Sequence, residues 1–151
     1  MSYMSGIYDP NKHKIYTPIN KHKYKGIANP VCRSSWEYDF CRLLDSDNNV
    51  LEWSSEAVQI PYMINGKRHR YFPDFSAVLK LKNGGIKKII YEIKPYTQTQ
   101  PPKTGKNKAR KTILNERKTF QKNIAKWKAA QRYCNKLGYE FKIITEKQLY
   151  K

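Results

Sequence analysis

Apolar residues at Trp36, Phe40, Leu43 and Leu44 recur at helical spacing. Ser34 or Ser35 ahead of them offers a hydroxyl suited to an N-cap, so a helix is predicted from there to about Asp45–Asn49. Residues 50–54 and 57–64 alternate loosely and are rich in Val, Ile and Tyr, which predicts two strands, with Asn65-Gly66 as a hairpin turn. From Arg70 to Lys82 the alternation is clear: Tyr71, Phe75, Ala77, Leu79 and Leu81 occupy odd positions, and the ring of Pro73 also tolerates burial. A single strand is predicted there, followed by an Asn83-Gly84-Gly85 turn and a further strand over Ile86 to Lys94. Pro95 to Gly105 is polar and contains three prolines, so it reads as a loop. Ile113, Phe120, Ile124, Trp127, Cys134 and Leu137 then form one stripe of a long helix over about 108–137, with Gly138 as its stop. Tyr139 to Thr145 reads as a last strand, and Glu146 to Tyr150 as a helical turn.

Residues 1–31 lack this periodicity and carry Pro10, Pro18 and Pro30 among Lys and Tyr. They are predicted to be an extended basic arm lying over the body or on a ligand, ahead of one domain spanning 32–151. The order is helix, three or four antiparallel strands, long helix, strand, which makes the class α/β with a mixed sheet.

With 30 Lys+Arg against 12 Asp+Glu in 151 residues, the formal net charge is +18. This points to a polyanionic partner, nucleic acid above all. The 39% hydrophobic and 13% aromatic content excludes a disordered basic tail, and no apolar run is long enough to span a membrane. No secretory signal is legible at Met1 to Pro10, and Cys32, Cys41 and Cys134 form no CxxC pair. Reduced thiols in a cytosol are therefore expected, with Cys41 and Cys134 in the core. The charge is uneven: residues 1–31 carry 5 basic and 1 acidic residue, 32–94 carry 10 and 8, and 95–151 carry 15 and 3. Eight carboxylates in the middle would repel phosphates unless they face away from the ligand or hold metal ions that reverse their sign.

Glu37, Asp74, Glu92 and Lys94 stand out in that middle segment. Period-two alternation puts Glu92 and Lys94 on one face of their strand. Asp74 falls on the face of the preceding strand opposite its apolar positions, and Pro73, which cannot donate to a ladder, suggests a bend that aims it. Two carboxylates on adjacent strands suit Mg²⁺ or Mn²⁺, and a lysine beside them can orient a water or offset charge building on phosphorus. Glu37 borders the buried stripe of its helix and can reach inward, with Glu52 and Glu56 as substitutes. His13, His22 and His69 have no metal-ligand spacing.

Pro73-Asp74, 17 intervening residues and Glu92-Ile93-Lys94, after a helix bearing Glu37, resemble the PD-(D/E)xK nuclease superfamily. The resemblance covers about residues 33–148 and implies a restriction-endonuclease-like αβββαβ core. More narrowly, RSSWEYDF (33–40), QIPY (59–62), YFPDFSAVL (71–79), YEIKPYTQTQPP (91–102) and YEFKIITEKQL (139–149) are similar to the head completion nucleases of T-even-type tailed phages. Transposon end-cleaving endonucleases are more distantly similar. The resemblance implies that Asp74, Glu92 and the Ile93 carbonyl ligate Mg²⁺ (or Mn²⁺), that Lys94 is the catalytic lysine, and that Glu37 helps hold a metal or its water. It implies cleavage of phosphodiester bonds in double-stranded DNA, processing packaged ends in the host cytoplasm or on the virion before the neck joins. Portal or neck proteins are the implied partners.

Lys67, Arg68 and Arg70 flank the hairpin turn leading toward Asp74 and are candidate phosphate contacts. Lys103, Lys106, Lys108, Arg110 and Lys111 follow the motif and either contact DNA or form a solvated loop. Tyr3, Tyr8, Tyr16 and Tyr24 in the arm either stack on bases or fold onto the body. Two other functions stay open: a non-enzymatic DNA-end-binding virion assembly protein on the same scaffold, and a transposon-end or junction-cleaving nuclease.

Overall fold

A computed structural model describes residues 13–105 and 107–150. Two short strands, β1 (Lys14–Ile15) and β2 (Val31–Cys32), pair antiparallel and close the segment between them into a loop. Helix α1 (Ser35–Ser46) starts at Ser34, whose hydroxyl accepts the Glu37 N–H at 3.1 Å. This is a Ser-x-x-Glu start, and it fixes Glu37 in the first helical turn. Strands β3 (Val50–Ser55), β4 (Ile60–Ile64), β5 (Lys67–Tyr71), β6 (Phe75–Lys80) and β7 (Ile86–Ile93) follow. Helix α2 (Arg110–Leu137) then crosses over to β8 (Glu140–Ile144), and the short α3 (Glu146–Leu149) ends the described chain.

The main sheet has the order β3-β6-β7-β8, with β8 parallel to β7 and the other pairs antiparallel, so it is mixed as predicted. The sequence expectation fails at 70–82, which is two strands. Pro73 has no N–H to donate, so the ladder breaks over Phe72–Asp74. Lys67–Tyr71 pairs with Ile60–Ile64 in a separate hairpin, turned by Asn65 and Gly66 at φ 51° and 75°. The strand also stops at Lys80, short of Leu81 and Lys82, and Leu81 is exposed.

Each face of the main sheet has its own core. On one, Trp36, Phe40 and Leu44 of α1 pack with Trp53, Phe75 and Tyr91. Phe40 sits 5.5 Å from Phe75 and 4.9 Å from Tyr91, centroid to centroid. On the other, Trp127, Ala129 and Ala130 of α2 pack with Ile60, Tyr62 and Tyr71 of the hairpin. Of the predicted α2 stripe, Trp127 and Cys134 are buried, whereas Leu137 is exposed at the helix end beside the left-handed Gly138. Cys41 is buried as well, with Cys32 3.5 Å away sulfur to sulfur, and both are free thiols.

Within the predicted arm, the described residues lie on the body. The Tyr16 hydroxyl donates to Asp45 at 2.5 Å, the N–H groups of Ile19 and Asn20 donate to the same carboxylate, and Lys23 donates to the Asp45 and Asp47 carbonyls. Tyr24 packs on Trp53, centroids 4.7 Å apart. Both tyrosines thus fold onto the body, while Tyr3, Tyr8 and Lys106 lie outside the described residues. No described helix is long and apolar enough to cross a membrane.

Candidate active site

The break at Pro73 opens the end of the main sheet. There the start of β6, the end of β7, the first turn of α1 and the middle of α2 surround a cavity of about 440 Å³. Glu37, Asp74, Glu92, Ile93 and Lys94 all line it, as does Arg70. The four side chains singled out for chemistry thus meet, although Glu37 and Glu92 lie 55 positions apart in the chain. Lys94 Nζ stands 4.0 Å from a Glu92 oxygen.

Backbone chemistry at Pro73 prepares two oxygens. Odd residues of β7 direct their N–H and C=O toward β6, and after the Phe75–Tyr91 pair the next register position opposite Ile93 is Pro73. The Asp74 carboxylate takes the Ile93 N–H at 2.7 Å in place of a ladder acceptor. Pro73 can offer nothing to the Ile93 carbonyl, so that oxygen stays available beside the carboxylates.

The carboxylates are crowded. Burial, then the neighbouring charges of Glu92 and Glu37, hold the Asp74 carboxyl well above its usual range against the Ile93 N–H. Burial pushes Glu37 up to about 7, opposed by its bond to Ser34 and by Arg33. This carboxylate set leaves Glu37 and Asp74 without a cation at ion-pair distance among the described residues. It is all oxygen, with two carboxylates and a free carbonyl at the sheet end, the donor type that Mg²⁺ and Mn²⁺ prefer. Among the described residues no three His, Cys, Asp or Glu side chains are grouped so as to hold a metal ion together. An ion here would therefore keep waters in its shell, as Mg²⁺ usually does.

Several lining residues escaped the sequence reading. Arg33 reaches in from the turn before α1 and pairs with Glu56, which sits at φ 50° with its N–H on the Asp74 carbonyl. Lys126 of α2 faces the cavity, 5.5 Å above the Tyr71 ring, and burial lowers its pKa while Glu92 opposes that. The Tyr71 hydroxyl and the Trp127 indole N–H are buried without hydrogen-bond partners. Tyr71 is assigned to the core by its odd position; Lys126 carries no sequence signal beyond lying one residue from the apolar stripe. Among the candidate DNA contacts, Lys67, Arg68, Arg110 and Lys111 are exposed, and Lys103 and Lys108 border a neighbouring groove.

Residues 47–146 match the family described as "TnsA-like endonuclease N terminal", which spans β3 to the start of α3. The chain belongs to the TnsA-like endonuclease family. It is also 38% identical over 137 residues to the head completion nuclease of Enterobacteria phage T4, covering 87% of this chain and 89% of that protein. The match to the TnsA-like endonucleases includes Asp74, Glu92 and Lys94 and leaves out Arg33 and Glu37, which the longer alignment to the phage nuclease has room to include. The protein is thus a nuclease on a restriction-endonuclease-like fold, with its carboxylates gathered at the end of the central strands.

Proposed function

We propose that this protein is a Mg²⁺-dependent DNA endonuclease of the PD-(D/E)xK type that processes the ends of packaged phage DNA before the neck joins the head. The observation that carries the reading is the convergence of Glu37, Asp74, Glu92 and Lys94 on one cavity at the break beside Pro73. Asp74, Glu92 and the Ile93 carbonyl would hold the ion, with Mn²⁺ as a substitute, and Glu37 would hold its water. When bound, the ion supplies an acidified water and offsets charge on the phosphate.

The chain's own groups do the rest. The Lys94 side chain stands beside Glu92, where it can offset negative charge that builds on the phosphate during hydrolysis. Arg70 and Lys126 add positive charge at the cavity wall, where a phosphate would enter. The exposed Lys67 and Arg68 on the hairpin, and Arg110 and Lys111 at the start of α2, contact backbone phosphates, so binding weakens steeply with salt. Portal or neck proteins would bring the nuclease to its DNA end.

The test is incubation with supercoiled and linear DNA in Mg²⁺, Mn²⁺ or EDTA, alongside Asp74→Ala and Lys94→Ala proteins whose folding is checked by circular dichroism. Cutting that needs metal and is lost in both variants supports the reading. Metal-independent DNA binding without cutting by the wild type, unchanged in both variants, refutes it.

A further inference from the structure

Next to the catalytic cavity lies a second depression, a groove of about 740 Å³ between the segment following Lys94 and the N-terminal half of α2. Tyr96 comes two residues after Lys94, and Asn123 one helical turn before Lys126, so groove and cavity share both walls. Two aromatic rings, Tyr96 and Phe120, face the groove. Lys147 sits 3.4 Å from the Tyr96 ring centroid and holds that ring in place. Glu116 is the only acidic group among the described lining residues, and Lys108 neutralises it at 3.1 Å. Lys103 leaves the groove net positive.

Asn123 points to the occupant. It is only 6% exposed, and it lines this groove. Its amide is not sealed in the core as an orphan, so at the groove wall it can exchange water for a ligand's polar atoms. An amide offers one acceptor and two donors, which is the pattern that reads the polar edge of a nucleobase. Aromatic rings beside it suit the face of a base, and the lysines suit the phosphate attached to it.

We infer that this groove accepts an unpaired nucleotide of the DNA strand whose neighbouring phosphate enters the catalytic cavity. The inference rests on the proposed nuclease reading and narrows its substrate to DNA ends with a single-stranded or splayed nucleotide. A base still paired in a duplex could present neither its face to Phe120 nor its pairing edge to Asn123. The groove thus selects frayed or overhanging ends over blunt ones.

The test is fluorescence anisotropy in EDTA with three labelled probes of one duplex sequence: blunt, with a 3′ overhang and with a 5′ overhang. Wild type should bind one overhang about tenfold more tightly than the blunt duplex, the order that stacking and pairing of one base contribute. Asn123→Ala should lose that preference and keep its affinity for the blunt duplex, and Phe120→Ala provides the same test should Asn123→Ala fail to fold. Equal binding of all three probes by wild type overturns the inference, as does a folded variant that keeps the full preference. Since the readout needs no cleavage, an overhang preference in a protein that cuts nothing leaves the groove standing and removes the nuclease reading. Metal-dependent cutting without any overhang preference does the reverse.

Discussion

Replacing Glu37 with glutamine should make the metal-free protein more stable at pH 8 and leave it nearly unchanged at pH 5. The carboxyl is 7% exposed and titrates near 7 in the fold, against an ordinary value of 4.5. Between those values the folded chain holds a proton that the unfolded chain has lost, so stability falls as pH rises from about 4.5 through 7 and then levels off. A rise of this size corresponds to about 3 kcal/mol at about 1.4 kcal/mol per unit. For a chain of this length that is roughly 9 °C in melting temperature, at about 3 °C per kcal/mol. A glutamine amide at this position carries no charge at any pH and can still bond Ser34. Thermal unfolding in EDTA at intervals from pH 5 to 8 should show both proteins losing melting temperature, because Asp74 also resists ionisation, with wild type losing more; the excess reports Glu37 together with its repulsion of Asp74. Adding Mg²⁺ at pH 8 should restore much of the wild-type loss. Parallel curves for the two proteins in EDTA would refute the assignment of Glu37 as a buried carboxyl that resists ionisation.

Removing Lys126 as Lys126→Ala should cut the cleavage rate about 100-fold, in the range for loss of one charge-stabilising donor, with DNA affinity changed far less; single-turnover kinetics separate the two. Pro73→Ala restores an N–H opposite the Ile93 carbonyl, so Mn²⁺ affinity measured by calorimetry should fall about tenfold, as for a lost supporting contact at a metal site. Asp45→Ala should cost about 3–5 kcal/mol in urea denaturation, because it strands Tyr16 and two backbone N–H groups that now donate to the carboxylate. Burial works to raise the Asp45 pKa, but Tyr16 and those N–H groups hold it below the ordinary value. The contribution of Asp45 is therefore complete above the usual carboxylate range and is lost as pH falls through its lowered value.

Much of the fold was legible because apolar periodicity reports directly on burial. Trp36, Phe40 and Leu44 on α1 and the odd positions from Phe75 to Ala77 stand in one core, as their spacing requires. The misread strand shows the limit of that signal. Apolar residues hold every odd position from Tyr71 to Leu81, but pairing belongs to the backbone, and Pro73 withholds the N–H that a continuous ladder needs. Glu92 and Lys94 were legible as neighbours because they stand two positions apart at the end of β7, and Asp74 because it follows the proline that breaks the strand. Lys126 was not. On a helix that also carries Lys118, Lys122 and Lys128, only the angle at which α2 crosses the sheet decides which ammonium meets the carboxylates. Tyr16 posed the same difficulty, since its partner Asp45 lies 29 positions away.

The near-neutral middle of so basic a chain has a structural reason. Its eight carboxylates divide by task. Asp45 holds Tyr16 and the backbone that follows it, Asp47 caps the turn after α1 through the Asn49 N–H, and Asp39 accepts the Tyr150 hydroxyl at 2.6 Å. Glu52 is exposed on an edge strand. The other four, Glu37, Glu56, Asp74 and Glu92, line the candidate site's cavity with Arg33, Arg70, Lys94 and Lys126. Equal numbers do not give equal pairing. Arg33 is spent on Glu56, and Lys94 stands nearest Glu92, whereas Glu37 and Asp74 have no cation within ion-pair distance among the described residues. Both of these carboxyls have a raised affinity for protons. Near neutral pH each needs a proton or a cation, and a divalent ion bound at Asp74 would satisfy both where water is scarce. The cationic chain thus surrounds a centre whose carboxyls are held short of positive charge, which the proposed ion would supply.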